Sequence, residues 1–291
     1  MNKNNKYDLI LGFIRELFSE NEFIPLHQPV YIGNERKYVL DAIDSTYVSS
    51  IGEYVNRVEE TLKKITGANS AVAFVNGTCA LHMGLLINDV TQDDEVLTQS
   101  VTFIATLNAI TYVNASPVFI DIDKDTLGMS PDALSVFLDT YAELRNDGWS
   151  YNKITGKRIK ACIPMHTFGL ACRILQIQQI CQKWNIVLIE DAAESLGTTI
   201  NDISAGLFGK VGVFSFNGNK IVTGGGGGAI ITNDEQLAKK AKHLSTQAKV
   251  PHQWKFEHDA IGYNYRLPNL NAALLCAQLE MLETFIENKR Q

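Results

Sequence analysis

From Ala71 onward, short apolar runs alternate with stretches whose apolar residues recur every three to four positions. Runs of the first kind have strand length, and stretches of the second kind put one apolar stripe on a helix. The pattern predicts strands at Ala71–Val75, Glu95–Thr98, Val118–Asp121, Lys160–Pro164, Ile186–Glu190, Val211–Phe216 and Ala229–Thr232. It predicts helices between several of them, at Thr78–Leu86, Phe103–Tyr112, Pro131–Tyr141, Leu175–Trp184 and Glu235–Leu244. Runs such as Val187-Leu188-Ile189 are apolar on both faces, as strands covered by helices on both sides must be. The alternation predicts an α/β fold around a mostly parallel, seven-stranded sheet.

The flanks read differently. The first residues, through Phe18, form an amphipathic helical pattern, and Pro25 and Pro29 favour an extended path over Phe23–Tyr31. Gly33–Ser45 reads as a helix with Val39, Leu40 and Ile43 on its apolar face, and Tyr47–Gly52 as a turn-rich loop. Tyr54–Thr66 reads as a second amphipathic helix that stops at Gly67. Residues 142–160 are polar and irregular, and Leu270–Asn288 reads as one helix with a long apolar face. The expected division is an N-terminal helical extension over 1–24, a large domain over 25–268 and a leading helix over 269–291.

Composition narrows the function classes. The 291 residues are 45% hydrophobic and 20% charged, the make-up of a soluble globular chain. A net charge of −6 argues against a nucleic-acid partner, whose footprint is basic. The five cysteines are scattered without a CxxC pair, and the six histidines lack metal-ligand spacing. These features point to reduced thiols and no metal site. The N-terminus lacks a signal-peptide core, and no run approaches bilayer length, so no membrane is expected and the cytoplasm is the expected location.

Candidate chemistry collects where strands end, which is where ligands bind in parallel sheets. Lys220 lies five residues after Ser215, beside an apolar strand and before the run Gly224–Gly228. Apolar walls disfavour a charged amine, and a neutral amine can hold a carbonyl cofactor as a Schiff base. The glycines admit a closely approaching backbone or ligand. Asn76-Gly77-Thr78 opens a helix and reads either as a helix cap or as a phosphate seat. Asp191, ending an apolar strand, reads as a cap, a salt-bridge partner or the acid that holds a pyridine nitrogen protonated. Phe103 is either core or a ring that stacks on a cofactor. A phosphate seat, a stacking ring, a strand-end acid and a strand-end lysine together are the parts of a pyridoxal phosphate site.

Four segments carry a family resemblance: Glu190–Gly197 (EDAAESLG), Phe214–Lys220 (FSFNGNK) followed by TGGGGG, Val101–Ala109 (VTFIATLNA) and Gly262–Pro268 (GYNYRLP). Together they resemble the DegT–DnrJ-type sugar aminotransferases. The opening Pro25–Gly52 is most similar to the LegC-like branch, which includes enzymes similar to UDP-N-acetylbacillosamine transaminase. The resemblance implies an aspartate-aminotransferase-like large domain of fold type I and pyridoxal 5′-phosphate as cofactor. It implies transamination of a nucleotide-linked 4-keto-6-deoxy hexose with L-glutamate as amino donor, and a homodimer with shared active sites. By the same resemblance Lys220 carries the cofactor, Asp191 faces the ring nitrogen, Phe103 stacks on the ring, and Gly77, Thr78 and Ser215 hold its phosphate. Asn264 reaches the phosphate of the neighbouring subunit, Glu194 lies near the ring, Ser49 and Ser50 line the sugar pocket, and Arg266 meets substrate phosphate. Family members continue into a small C-terminal domain, which is expected to be largely missing here; an impaired scaffold or regulatory role is therefore one rival reading. A sugar dehydratase is another, but such relatives carry histidine in place of Lys220. A dinucleotide-binding fingerprint needs spaced glycines, which the continuous run does not supply.

Overall fold

The computed structural model describes residues 3–18 and 23–291, so residues 1, 2 and 19–22 of the expected N-terminal extension lie outside the described residues. Among the described residues there are eleven strands: β1 (Ser70–Phe74), β2 (Asp94–Gln99), β3 (Ser116–Ile120), β4 (Ala142–Leu144), β5 (Ser150–Asn152), β6 (Arg158–Ile163), β7 (Val187–Asp191), β8 (Thr199–Ile200), β9 (Ile203–Ser204), β10 (Val211–Ser215) and β11 (Gly228–Thr232). The helices are α1 (Lys3–Phe18), α2 (Glu35–Asp44), α3 (Glu53–Thr66), α4 (Gly77–Ile87), α5 (Ile104–Tyr112), α6 (Pro131–Tyr141), α7 (Ile174–Lys183), α8 (Glu235–Ser245), α9 (Asn269–Glu280) and α10 (Leu282–Arg290).

All seven expected strands exist, shifted by at most two residues at either end, and join in the order β1-β11-β10-β7-β6-β2-β3. The neighbours from β10 through β3 pair in parallel, while β11 runs antiparallel to both β1 and β10. Six strands therefore point the same way and end on one edge of the sheet. Alternation along each strand sends side chains to both faces. In β1, Ala71 and Ala73 join a core with α3 and α9, and Val72 and Phe74 join one with α4, α5 and α8. A third core lies under α6 and α7. Helix starts follow local chemistry: Asn76 caps α4 by accepting from the Cys79 N–H at 2.8 Å, and Asp234 caps α8. Gly67, at φ 77°, ends α3 as expected.

Four expectations need correction. Residues 142–160 are not irregular: β4 and β5 pair antiparallel, and β5 joins β6. The terminal helix is two helices, α9 and α10, meeting at Met281. Helix α2 buries Glu35 and Ala42 and leaves Leu40 and Ile43 57% and 49% exposed. Its docking face carries Ala42 and Tyr38 against the core, with Glu35 accepting from the buried Gln278 amide at 2.7 Å, and not the stripe of Leu40 and Ile43. The fourth correction concerns Lys220 and is given with the site.

Close backbone packing places β10. A Cβ on Gly212 would lie 2.1 Å from the Gly206 carbonyl oxygen. Overpacking of this kind costs about 1–3 kcal/mol or more. Gly212→Ala is therefore expected to lower the urea unfolding midpoint clearly, and an unchanged midpoint would contradict the close approach.

Candidate active site

The ends of the parallel strands bring four chain segments to one edge. Strand β7 ends on Asp191, whose register partner in β10 is Val213, and β10 ends two residues later on Ser215. Across β11, Gly228 pairs with both Ser215 and Phe74. The loop after β1 is thereby held against β10: a Cβ on Gly77 would lie 2.9 Å from the Ser215 Cβ. A Cβ on Gly228 would lie 2.5 Å from the Asn76 carbonyl carbon, so the glycine run serves backbone approach at this position. The start of α4 is an anion-attracting helix end. Among the described residues, no hydrogen bond engages the Gly77 and Thr78 N–H groups or the Ser215 hydroxyl.

Asp191 is 3% exposed. It accepts from the Thr106 hydroxyl at 2.5 Å and from the Ala193 N–H at 3.2 Å. Burial pushes its pKa up; the two hydrogen bonds and the positive charges of Lys220 and His166 oppose that rise. Thr106 also fixes the position of Phe103, whose carbonyl accepts from the Thr106 N–H. Phe103 is not core: it caps α5 and is 68% exposed, its ring free to cover a ligand at this edge.

Lys220 follows on the loop after β10. Its Nζ lies 2.9 Å from Glu194 Oε1, and the two side chains are 15% and 25% exposed. The expected apolar wall is thus replaced by a carboxylate, because the turn after β7 folds back over the lysine. Glu194 is itself fixed: its Oε2 accepts from the Phe168 N–H at 2.9 Å. Phe168 has φ 55°, a left-handed conformation that is strained for a bulky residue. The following Gly169 lies so close that a Cβ there would meet the Glu194 carbonyl oxygen at 2.8 Å.

Behind Asp191 lies a fully buried pair that sequence reasoning missed. His166 Nε2 is 3.0 Å from Glu190 Oε2, and Glu190 also accepts from the Gly206, Phe208 and Gly209 N–H groups at 2.7–2.8 Å. Burial works against a charged His166, but Cys172 and Glu190 outweigh it and push the imidazole up to about 10. Its backbone N–H donates to the Asp191 carbonyl at 3.1 Å, so the pair braces the strand end that presents Asp191. The available signal was Met165-His166 directly after β6, another strand end.

Of the expected site residues, Lys220, Glu194, Asp191, Gly77, Thr78, Ser215 and Phe103 occupy the edge formed by the strand ends. Of these, Lys220 and Glu194 also line a cleft of about 480 Å³, which Asp191, Gly77, Thr78, Ser215, Phe103, Ser49, Ser50, Asn264 and Arg266 do not line. The Ser49 carbonyl accepts from the Asn269 N–H at the start of α9. Asn264 Oδ1 accepts from Arg266, on a ribbon bridged antiparallel to β1 at Phe74. Among the described residues, no group of three or more His, Cys, Asp or Glu is placed to hold a metal, and no helix is long and apolar enough to cross a membrane.

The residues fit pyridoxal phosphate. A buried carboxylate without a bonded cation suits a protonated ring nitrogen. The open N–H groups at Gly77 and Thr78, beside the Ser215 hydroxyl, suit a phosphate. A reachable primary amine suits an aldehyde.

Comparison with known proteins agrees with this geometry. The profile of the DegT/DnrJ/EryC1/StrS aminotransferase family matches residues 30–291. EpsN of Bacillus subtilis (strain 168), named for pyridoxal phosphate-dependent aminotransferase activity, is 39% identical over 271 residues, covering 91% of this chain and 67% of that protein. GDP-perosamine synthase of Escherichia coli O157:H7 is 37% identical over 270 residues, covering 93% of this chain and 69% of that enzyme. Among solved structures, Helicobacter pylori PseC, an aminotransferase of pseudoaminic acid biosynthesis, superposes with a TM-score of 0.79 at 25% identity, covering 90% of this chain and 67% of that one. The chain spans about two thirds of the length of these relatives.

Proposed function

This chain belongs to the DegT/DnrJ/EryC1/StrS aminotransferase family, its cofactor is pyridoxal phosphate, and we propose that it transfers the amino group of L-glutamate to a nucleotide-linked 4-keto-6-deoxy hexose. The observation that carries this reading is the convergence of Lys220, Asp191 and the Gly77–Ser215 seat on one strand edge. Sugar aminotransferases among the relatives support the substrate class. Lys220 argues against the dehydratase reading, and the gathering of Lys220, Asp191, Gly77, Thr78 and Ser215 on one edge argues against a bare scaffold.

When bound, pyridoxal phosphate supplies an aldehyde that joins amines and a pyridinium ring that withdraws electrons from the bonded carbon. Lys220 Nζ would hold that aldehyde, and Asp191 would keep the ring nitrogen protonated. Phe103 would cover one ring face, while Gly77, Thr78 and Ser215 would hold the phosphate. Glu194 Oε1, 2.9 Å from Lys220 Nζ, is placed to take the ammonium proton and leave a nucleophilic amine. Lys220 Nζ would also serve as the proton carrier at this edge, as base toward the donor's α-carbon in one half-reaction and as acid toward the acceptor carbon in the other. The donor leaves as its 2-oxo acid, and the ketone carbon of the sugar ends as an amine. Asn264 would serve the partner's site in a homodimer, with Ser49, Ser50 and Arg266 meeting the substrate. In domain terms, residues 25–268 read as the cofactor-binding domain, 1–24 as an N-terminal extension and 269–291 as a helical segment.

The direct test is an absorbance spectrum with added pyridoxal phosphate, followed by borohydride and peptide mapping. A band near the visible edge that becomes fixed to Lys220 supports the assignment; label elsewhere, or no band, rejects it. The phosphate seat has its own prediction. In Gly77→Ala, the new methyl must displace Ser215, and pyridoxal phosphate affinity is expected to fall by about tenfold or more in a fluorescence titration.

A further inference from the structure

The cleft beside Lys220 has a second wall, contributed by the two ends of the chain. His27 lines it from the extended N-terminal segment, which precedes the region matched by the family profile, and Lys289 and Arg290 line it from α10. The two cations share a helical face with Ile286, which also lines the cleft. That face is seated by a glycine: a Cβ on Gly197, at φ 89°, would meet Ile286 Cδ1 at 2.3 Å. The same turn that carries Glu194 therefore leaves room for α10 to turn Lys289 and Arg290 toward Lys220.

Charge in the cleft is unbalanced. Among the described residues, its only carboxylate side chain is Glu194, which Lys220 already occupies. Among the described residues, neither Lys289 nor Arg290 makes an ion pair. His27 is half-buried, and its ring sits within the field of Lys289. A narrower extension of the cleft is again lined by His27, Lys220 and Lys289. A concave wall with unbalanced positive charge concentrates anions, and a guanidinium fork matches phosphate or carboxylate oxygens.

We propose that His27, Lys289 and Arg290 form an oxyanion subsite that holds the charged end of a substrate while its reacting carbon lies at Lys220. The chemistry is shared by two sources, the diphosphate of a nucleotide-linked sugar and the distal carboxylate of a dicarboxylic amino donor. The proposal rests on the aminotransferase reading and adds to it the residues that read substrate charge. A cleft of about 480 Å³ is of ordinary size for such a ligand.

The test uses the pyridoxal phosphate-loaded chain, so that the Gly77 seat is filled, and titrates it calorimetrically with pyrophosphate and, separately, with glutarate. Wild type is expected to bind at least one probe. The double variant Lys289→Gln/Arg290→Gln is expected to bind that probe at least about tenfold more weakly, with His27→Gln weakening it in the same direction. Both cations are exposed, so the variant is expected to fold, which an unchanged borohydride-fixed band at Lys220 would verify. A loss for pyrophosphate assigns the subsite to the nucleotide sugar, and a loss for glutarate assigns it to the donor. Equal affinities in wild type and the double variant, or no binding of either probe to wild type, would overturn the proposal. Absence of the Lys220 band in wild type would instead overturn the aminotransferase reading.

Discussion

Lys220→Ala is expected to reduce amino transfer by at least about a thousandfold and to remove the borohydride-fixed absorbance band. Two functions are lost with one side chain. The amine that holds the aldehyde is gone, and so is the base that moves the α-proton, which alone contributes about 10²–10⁴-fold in rate. Glu194 cannot replace it as the anchor, because a carboxylate forms no imine with an aldehyde. Fold should survive, since Lys220 lies on a loop at the sheet edge and is only partly buried. Lys220→Arg separates the two roles: charge is kept, but a guanidinium does not form the bond. Turnover of either variant near the wild-type rate, measured as 2-oxoglutarate release from L-glutamate, would refute the assignment.

The second large effect belongs to Asp191→Asn, which keeps size and removes charge. An opposite charge next to a titrating group shifts its pKa by about 1–3 units. Losing it is therefore expected to lower the protonated fraction of the ring nitrogen, and the rate of the glutamate half-reaction, by about ten- to a thousandfold. Stability should change in the opposite sense. Burial raises the Asp191 pKa in the folded chain. A raised acid costs nothing below its unfolded pKa; the cost grows as pH rises from there toward the folded value and is complete above it, where the buried group has ionised. At neutral pH the cofactor-free Asn variant is thus expected to melt no lower than wild type. Loading with pyridoxal phosphate should raise the melting temperature of wild type more than that of the variant, since only wild type gains a charge partner. Equal gains in a thermal scan would show that Asp191 does not meet a cation.

Much of the site was legible because parallel sheets present their strand ends together. Asp191, Ser215 and the Asn76-Gly77-Thr78 turn each directly end or follow an apolar run, and the structure sets all three on one edge. Errors arose where local pattern and packing part. Leu40 and Ile43 look like a buried stripe, yet α2 docks through Tyr38, Ala42 and the contact of Glu35 with Gln278. The break at Met281 has no glycine or proline to announce it. Residues 142–160 are polar because their hairpin lies at the sheet's margin.

From the chain alone came the α/β alternation, the seven strands, the capped helices and the strand-end lysine, acid and phosphate turn. These follow from periodicity and turn chemistry, which act over a few residues. Tertiary structure alone decided which of these groups meet. Thr106 reaches Asp191 across 85 residues, Lys220 reaches Glu194 across 26, and His166 meets Glu190 across 24. His27 and Arg290, near opposite ends of the chain, line one cleft. Strand order and the folding-back of loops set such pairings, and neither leaves a periodic trace, because the energy that selects them is the burial of whole faces and not any local preference.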